Sequence, residues 1–239
     1  MIRILHTNDF HGMLRGEVLA GLLALRETCD LYFDCGDAIR AGNLAIPLKR
    51  EAAWNALEEL RCDASVLGNR ETHPLEAAFR KKLQGASHPV LCANLHDKDG
   101  QYPLARSVIL ERSGFRIGVF GVMVAMVTEK MATQAASRYL WDAPIPVALA
   151  MAEELQPQAD LVVALTHIGF AQDRKLAEAG PKVDLILGGH SHTVLEEPAV
   201  VSGIPILQTG SHGRFAGIYE WDGELRSARL VPLRAENPA

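Results

Sequence analysis

The chain has 239 residues, of which 48% are hydrophobic and 22% charged, and its formal net charge is −5. This length and this mixture are ordinary for a globular protein with one large core, so we expect a single domain over residues 1–239. The acidic balance argues against non-specific attraction to nucleic-acid polymers or membrane surfaces, and no apolar run approaches the length of a membrane span.

Short apolar runs alternate with helical patterns along the first half of the chain. Leucines at helical spacing indicate the first helix, and Pro74 is typical of a helix start. The predicted elements are, in chain order, strand 2–8, helix 17–28, strand 31–35, helix 48–61, strand 64–67, helix 74–83 and strand 89–93.

The second half of the chain begins with a predicted hairpin and ends with short strands. Ser113-Gly114 lies between two strand patterns and is typical of a tight turn, and Pro144 and Pro146 introduce a helix. The predicted elements are strands 106–111 and 116–123, helix 144–156, strand 160–165, helix 171–178, and strands 184–187, 204–208, 215–221 and 225–232.

Five of the predicted strands end in side chains that can bind metals. Residues two apart on an extended segment face the same way, so the paired residues after the first strand and after strand 184–187 can each converge. Ligands bind outside the carboxyl ends of the strands in α/β sheets. Seven oxygen and nitrogen donors exceed what one tetrahedral ion needs, whereas two ions that share a carboxylate would use all of them. The seven are Asp9, His11, Asp37, Asn69, His167, His190 and His192.

The segments that carry these residues read HTNDFHG, GDAIRAGN, GNRE, THIG and GGHSHT in chain order. In this order and spacing the chain resembles the calcineurin-like metallophosphoesterases, and most closely the catalytic domain of 5′-nucleotidases and 2′,3′-cyclic phosphodiesterases. The resemblance implies an α/β fold, a four-layer α-β-β-α sandwich of two mixed sheets flanked by helices. Family 5′-nucleotidases carry a second, C-terminal nucleotide-specificity domain, which we expect to be absent here.

The resemblance also implies a division of the seven candidate ligands between two divalent ions. Asp9, His11 and His192 would hold one ion. Asn69, His167 and His190 would hold the other, and Asp37 would bridge both. Such a pair activates a shared water for attack on phosphorus. Ligands of this mixed type suit Mn, Fe, Zn, Co or Ni.

One segment departs from the family pattern, which usually reads GNHE followed by an aromatic residue and Asp. Here Arg70 replaces the family's catalytic histidine, and His73 occupies the place of the aspartate. Arg70 can donate hydrogen bonds to phosphate but cannot act as a general acid. His73 could supply that proton if it reaches the site, or it could cap the following helix. Asn69 could also touch the phosphate.

Two further side chains are candidate substrate contacts. Arg40 follows Asp37 by three residues and could bind substrate or form a surface ion pair, and His212 lies in a glycine-rich stretch that passes close to the site in the family. Segment 124–143 could form a cap, with Met126, Met131, Tyr139 and Trp141 available for a base or aryl group, or it could fill a local core.

The four cysteines lie in or beside apolar segments without CxxC spacing, which is typical of reduced core residues. The chain starts directly on its first strand, so a cytoplasmic location is expected. The favoured function is dinuclear-metal-dependent hydrolysis of small nucleotide-like or aryl phosphoesters. Two alternatives are an enzyme that prefers phosphodiesters and a metal- or phosphate-binding module without turnover.

Overall fold

The computed structural model describes residues 1–234. The strands are β1 Ile2–Thr7, β2 Leu31–Asp34, β3 Ala64–Val66, β4 Val90–Leu91, β5 Leu95–Asp97, β6 Ser107–Arg112, β7 Phe115–Met123, β8 Tyr139–Trp141, β9 Leu161–His167, β10 Leu185–Gly188, β11 Ala199–Val201, β12 Ile204–Leu207, β13 Phe215–Trp221 and β14 Leu225–Pro232. The α-helices are α1 Gly16–Arg26, α2 Ala52–Glu59, α3 Glu76–Lys82, α4 Pro144–Leu155 and α5 Phe170–Glu178. Short 3₁₀ turns cover Ala132–Ala136 and Gln156–Gln158.

Two six-stranded mixed sheets form the centre of the molecule. Sheet one has the order β14-β13-β1-β2-β3-β4, in which β1 to β4 are parallel neighbours. Sheet two has the order β11-β12-β10-β9-β7-β6, in which β12, β10, β9 and β7 are parallel neighbours. A small ribbon pairs β5 with β8.

The alternation of side chains along β1 shows how the layers are built. Ile4 faces an apolar layer that also contains Phe33 of sheet one and Val163 of sheet two, so the two sheets pack face to face. Leu5 faces the opposite side and packs with residues of α1, α2 and α3. A third layer joins the outer face of sheet two to α4 and α5, and it contains Met151 of α4, Leu176 of α5 and Ile186 of β10. The expected four-layer α-β-β-α sandwich is therefore confirmed.

Most predicted elements are confirmed, but the helix predicted at 48–61 begins only at Ala52. The reason is that Glu51 lies in a loop, where its carboxylate accepts the backbone N–H groups of Arg40 and Ala41. The short strands β5, β8 and β11 were not predicted. Three residues per strand are too few to show the period-2 alternation on which such a prediction depends.

Segment 124–143 contributes mainly to the core. Tyr139 and Trp141 are buried, at 4% and 3% exposure, and belong to the layer beneath sheet one. Met126 packs partly against the same layer, while Met131 is exposed. The alternative that these residues fill a local core is thus confirmed for the two aromatic side chains.

The four cysteines are buried and free of disulfides, as predicted: Cys29, Cys35, Cys62 and Cys92. None of the helices within residues 1–234 has the length and apolar composition that a membrane crossing requires.

Candidate active site

The seven candidate ligands lie at the carboxyl ends of five parallel strands. Three of these strands, β1, β2 and β3, are neighbours in sheet one, and β9 and β10 are neighbours in sheet two. Because the sheets face each other, their carboxyl ends present side chains to a common space. Asp9, Asp37 and His167 are buried there, whereas His190 and His192 are exposed at the rim.

The backbone turns sharply immediately after three of these strands. Five of the seven candidate ligands are non-glycine residues in the left-handed region, with φ of 54° at Asp9, 51° at His11, 56° at Asp37, 77° at His190 and 56° at His192. Non-glycine residues rarely adopt this conformation, and each instance costs on the order of 1–3 kcal/mol. Local backbone strain is therefore concentrated where the candidate ligands lie.

One group of donors surrounds a carboxylate oxygen of Asp9. Oδ1 of Asp9 lies 3.5 Å from Nε2 of His11 and 3.3 Å from Nε2 of His192. His11 Nε2 is also 3.4 Å from Oδ2 of Asp37. The ligand atoms of Asp9, His11 and His192 are close enough together to bind one small cation.

A second group surrounds the amide oxygen of Asn69. Its Oδ1 lies 3.0 Å from Nε2 of His167 and 2.9 Å from Nδ1 of His190. His167 Nε2 is in turn 3.5 Å from Oδ1 of Asp37. The two oxygens of Asp37 thus face different groups, Oδ1 toward His167 and Oδ2 toward His11.

Two buried atoms test whether these residues suit metal ions. Asp9 Oδ1 and His11 Nε2 are buried, and neither has a hydrogen-bond partner within the described part of the chain. A buried polar atom without a partner costs free energy, and a cation between them would satisfy both. Carboxylate, imidazole and amide donors are also ordinary ligands of Mn, Fe, Zn, Co and Ni. The chemistry of these residues therefore fits divalent metal ions.

The charges within the site shift its pKa values strongly. Burial opposes protonation of His11, but the nearby carboxylates of Asp37 and Asp9 outweigh it and raise its pKa to about 9. Burial alone would raise the pKa of Asp9, yet the imidazoles of His11 and His192 bring it well below its usual range. The same competition lowers the pKa of Asp37, mainly through His11 and His167. The carboxylates are ionised, as metal ligands must be.

Glu71 holds the loops that carry the site and was missed in the sequence. Its carboxylate is 1% exposed and accepts three backbone N–H groups, from Asp37 at 3.0 Å, Ile39 at 3.2 Å and Gly68 at 3.1 Å. Burial and the neighbouring Asp37 raise the pKa of Glu71 to about 7. The signal was its place in GNRE, two residues after the candidate ligand Asn69.

Asn8 supports the side of the site that carries Asp9, and its role was not predicted from the sequence either. Its amide nitrogen donates to Asp9 Oδ2 at 2.7 Å and to the Gly210 carbonyl at 2.6 Å, while its oxygen accepts the backbone N–H of Thr209. His167 is fixed in a comparable way, since its Nδ1 lies 2.7 Å from the carbonyl of Cys35. These hydrogen bonds fix the orientation of the candidate ligands Asp9 and His167.

Arg70 lies beside Asp37, and Arg40 lies beside Gly12. The backbone N–H of Arg70 donates to Asp37 Oδ1 at 2.7 Å, and its Nε lies 3.8 Å from Asp37 Oδ2. Its Nη1 donates to the carbonyl of Arg40 at 3.0 Å. The stem of Arg40 lies over Gly12, where a Cβ would come within 2.7 Å of Arg40 Cβ.

His212 lies at the site, and His73 bonds the turn before α3. The His212 ring centroid is 4.8 Å from that of His11, and its backbone N–H donates to the Asp9 carbonyl. His73 Nδ1 accepts the backbone N–H of Leu75 at 3.0 Å, and its ring also contacts the backbone of Leu44. Leu75 is itself the N-cap residue of α3, and no side chain of the described residues caps this helix, so His73 bonds the turn before the helix rather than capping it.

A model of the calcineurin-like phosphoesterase family matches residues 2–194, which is most of the chain. The chain belongs to the calcineurin-like phosphoesterase family. This match includes all seven candidate ligands, and His212 lies beyond it.

The curated relatives of this chain are about twice its length. It is 28% identical to an uncharacterized metallophosphoesterase of Bacillus subtilis (strain 168), over 92% of this chain and 49% of that protein. It is 27% identical to a 5′-nucleotidase of Vibrio cholerae, over 97% of this chain and 51% of that protein. The chain therefore spans about half the length of these relatives.

Solved structures show the same fold at lower identity. A 5′-nucleotidase precursor of Thermus thermophilus has a TM-score of 0.75 at 22% identity, with 96% of this chain and 53% of that chain covered. A 5′-nucleotidase of Candida albicans has a TM-score of 0.69 at 16% identity, with 98% of this chain and 52% of that chain covered. The two mixed sheets with outer helices are thus an architecture shared with 5′-nucleotidase structures.

Proposed function

We propose that this protein is a hydrolase of small phosphoesters that depends on two divalent ions. The substrate class we infer is nucleotide-like or aryl phosphoesters, because the family is one of phosphoesterases and several relatives are named 5′-nucleotidases. Asp9, His11 and His192 would hold one ion, Asn69, His167 and His190 the other, and Asp37 both.

One observation carries this proposal, namely the way Asp37 faces both groups of donors. Its two oxygens lie 3.4 Å from His11 Nε2 and 3.5 Å from His167 Nε2. A carboxylate between two sets of nitrogen and oxygen donors is the arrangement that a bridged pair of ions requires. A protein that only sensed phosphate would not need a bridging carboxylate of this kind, which argues against the non-catalytic alternative.

Bound at these residues, the ions would supply an activated water and neutralise negative charge on the phosphoryl group. The chain's own residues bind and orient the substrate. Arg70 places a permanent positive charge beside Asp37 at the rim, where it can donate hydrogen bonds to phosphoryl oxygens. The exposed rings of His190, His192 and His212 leave this side open for a substrate to enter.

A second candidate function is a preference for phosphodiesters or for esters with good leaving groups. The observation that favours it is that Arg70, which keeps its proton, lies beside Asp37, while the ring of His73 is bonded to the backbone of Leu75. A poor leaving group needs a proton in the transition state, whereas a nitrophenolate does not.

The test is an assay with nitrophenyl phosphate, bis-nitrophenyl phosphate and alkyl monophosphates, after removal of metals and addition of each candidate ion. We expect turnover only with a divalent ion, two ions per chain by metal analysis, and loss of both ions and nearly all activity in Asp37→Ala. Glu129→Ala, at the surface, serves as the control. Stoichiometric metal without turnover on any ester would establish the non-catalytic alternative, and a single ion retained in Asp37→Ala would contradict the bridged pair.

A further inference from the structure

Lys82, at the end of α3, is a buried cation that the proposed chemistry does not use. Its side chain is 0% exposed, although lysine is rarely fully buried. Nζ donates to four backbone carbonyls, those of Gly42 at 2.8 Å, Asn43 at 2.8 Å, Arg70 at 2.6 Å and Thr72 at 2.9 Å. Two of these carbonyls belong to the loop after β2 and two to the turn after β3.

Burying an ammonium group is costly unless carbonyl or carboxylate oxygens replace its water. Burial lowers the pKa of Lys82 to about 8, with the carboxylates of Glu71 and Asp37 opposing that change. An ammonium has three N–H bonds, and here four carbonyl oxygens surround it. The ammonium group of Lys82 therefore attracts carbonyl oxygens of both chain segments and holds the segments together.

The same two segments are joined by two further links at the site itself. Asn69 donates from Nδ2 to Asn43 Oδ1 at 2.9 Å, and this bond leaves Asn69 Oδ1 directed at His167 and His190. Arg70 donates from Nη1 to the carbonyl of Arg40. The orientation of Asn69 and Arg70 thus depends on where residues 40–43 lie, and Lys82 fixes that loop.

Arg26 shows what a purely structural buried cation looks like in this molecule. It is 8% exposed and donates to the carbonyls of Cys29 and Leu60 and to Asp63. Cys29 and Asp63 precede β2 and β3, so Arg26 lies at the opposite end of sheet one from the candidate ligands. It therefore provides a matched control for Lys82.

We propose that Lys82 is a positioning residue of the active site. Its ammonium group ties the Gly42–Asn43 loop to the Arg70–Thr72 turn, and thereby aims the Asn69 amide at the second ion and the Arg70 guanidinium at the substrate. The effect on metal affinity follows from the geometry of Asn69, and the effect on turnover rests on the proposed function.

The experiment compares Lys82→Met with Arg26→Met, a matched loss of a buried cation, and with Lys81→Met, which removes a surface charge from the same helix. We expect Lys82→Met to weaken Mn²⁺ binding at one of two sites by about 10- to 100-fold, the range for residues that orient ligands. Amide hydrogen exchange should accelerate in residues 40–43 and 69–73 but not in residues 188–193. At saturating Mn²⁺, kcat on nitrophenyl phosphate should fall about 10- to 100-fold with a smaller change in KM.

The proposal is overturned if Lys82→Met retains metal affinity, exchange rates and kcat within about twofold of Arg26→Met at equal stability. If the wild-type protein turns over no ester, the proposed function fails, while metal affinity and hydrogen exchange still decide the role of Lys82. If Lys82→Met does not fold, Asn43→Ala removes the side-chain link from the loop to Asn69 instead. Unchanged Mn²⁺ affinity in that variant would equally overturn the proposal.

Discussion

At the scale of single residues, the proposed function predicts that Arg70 decides between aryl and alkyl esters. Its guanidinium stabilises negative charge but keeps its proton, so nitrophenyl esters should be hydrolysed far better than alkyl monoesters. Arg70→His should restore a general acid and raise kcat on alkyl monophosphates by about 10²-fold. The measurement is kcat for a series of esters whose leaving groups differ in pKa.

His73→Ala is the companion variant for this series. Because His73 bonds the backbone of Leu75, its removal should lower the free energy of unfolding by about 1 kcal/mol, as for the loss of one hydrogen bond, and leave the dependence on the leaving group unchanged. A selective loss of activity on alkyl esters in His73→Ala would instead make His73 the proton donor. Equal turnover of aryl and alkyl esters in the wild-type protein would contradict the role given to Arg70.

The buried His6 should make the folded protein less stable as pH falls, and this effect does not depend on catalysis. Burial lowers its pKa from 6.5 to about 3, so the folded protein keeps this ring neutral while the unfolded chain protonates it. Its contribution is complete above pH 6.5 and is lost as pH falls from 6.5 toward 3, because there the unfolded state binds the extra proton. The metal-free protein should lose about 2 kcal/mol more than His6→Gln between about pH 7.5 and about pH 5. Urea denaturation at both pH values measures the free energy of unfolding. An equal loss in the two proteins would contradict this prediction.

At the scale of the elements, Glu71 connects the turn after β3 to the loop after β2. Glu71→Ala would leave the N–H groups of Asp37, Ile39 and Gly68 buried without an acceptor, so we expect a loss of about 3–5 kcal/mol in the free energy of unfolding. Glu76→Ala, which removes a surface pair with Arg80, should change stability by less than about 0.5 kcal/mol. Urea denaturation of the metal-free variants measures both changes in the free energy of unfolding. A loss in Glu71→Ala as small as that in Glu76→Ala would show that Glu71 is dispensable.

The strand ends could be predicted from the sequence, but the residues that hold them could not. Asp9, Asp37 and His167 each follow a short apolar run, and the rule that parallel strands present their carboxyl ends together was enough to group them. Asn8, Glu71 and Lys82 act through backbone groups of distant segments, such as the Gly210 carbonyl bonded by Asn8. Such partners leave no local pattern, because any residue can provide a carbonyl or an N–H.

Periodicity located the longer elements and failed where tertiary contacts decide the structure. The hairpin at Ser113-Gly114 was predicted correctly, since both residues adopt positive φ in a two-residue turn. The start of α2 was misplaced because Glu51 binds a neighbouring loop instead of extending the helix. Helical spacing alone carries no information about such a contact.

At the scale of the whole molecule, each group of donors draws on both sheets. His192 of sheet two meets Asp9 of sheet one, and His167 of sheet two meets Asp37 of sheet one. Bound ions should therefore stabilise the packing of one sheet on the other. At a metal concentration about 100 times the Kd, each site adds about 2.7 kcal/mol, so one site should raise Tm by about 5–10 °C.

Differential scanning calorimetry with and without a chelator measures this shift in Tm. Asp37→Ala should show little difference between the two conditions, because it lacks the carboxylate that joins the two groups. A wild-type Tm that does not respond to chelation would contradict the placement of the ions between the sheets.

The pairing of β1 with β13 has a consequence for how the protein is made. Ile2 pairs with Trp221, and Asp9 accepts the backbone N–H of His190, so β1 gains these partners only after the chain has been translated through β13. Contacts between residues so far apart in the chain make folding slow. During synthesis the emerging chain would expose the apolar strand β1 and an incomplete set of candidate ligands until β13 has been translated. Chaperone binding to β1 and late capture of metal are thus the expected course of its biogenesis.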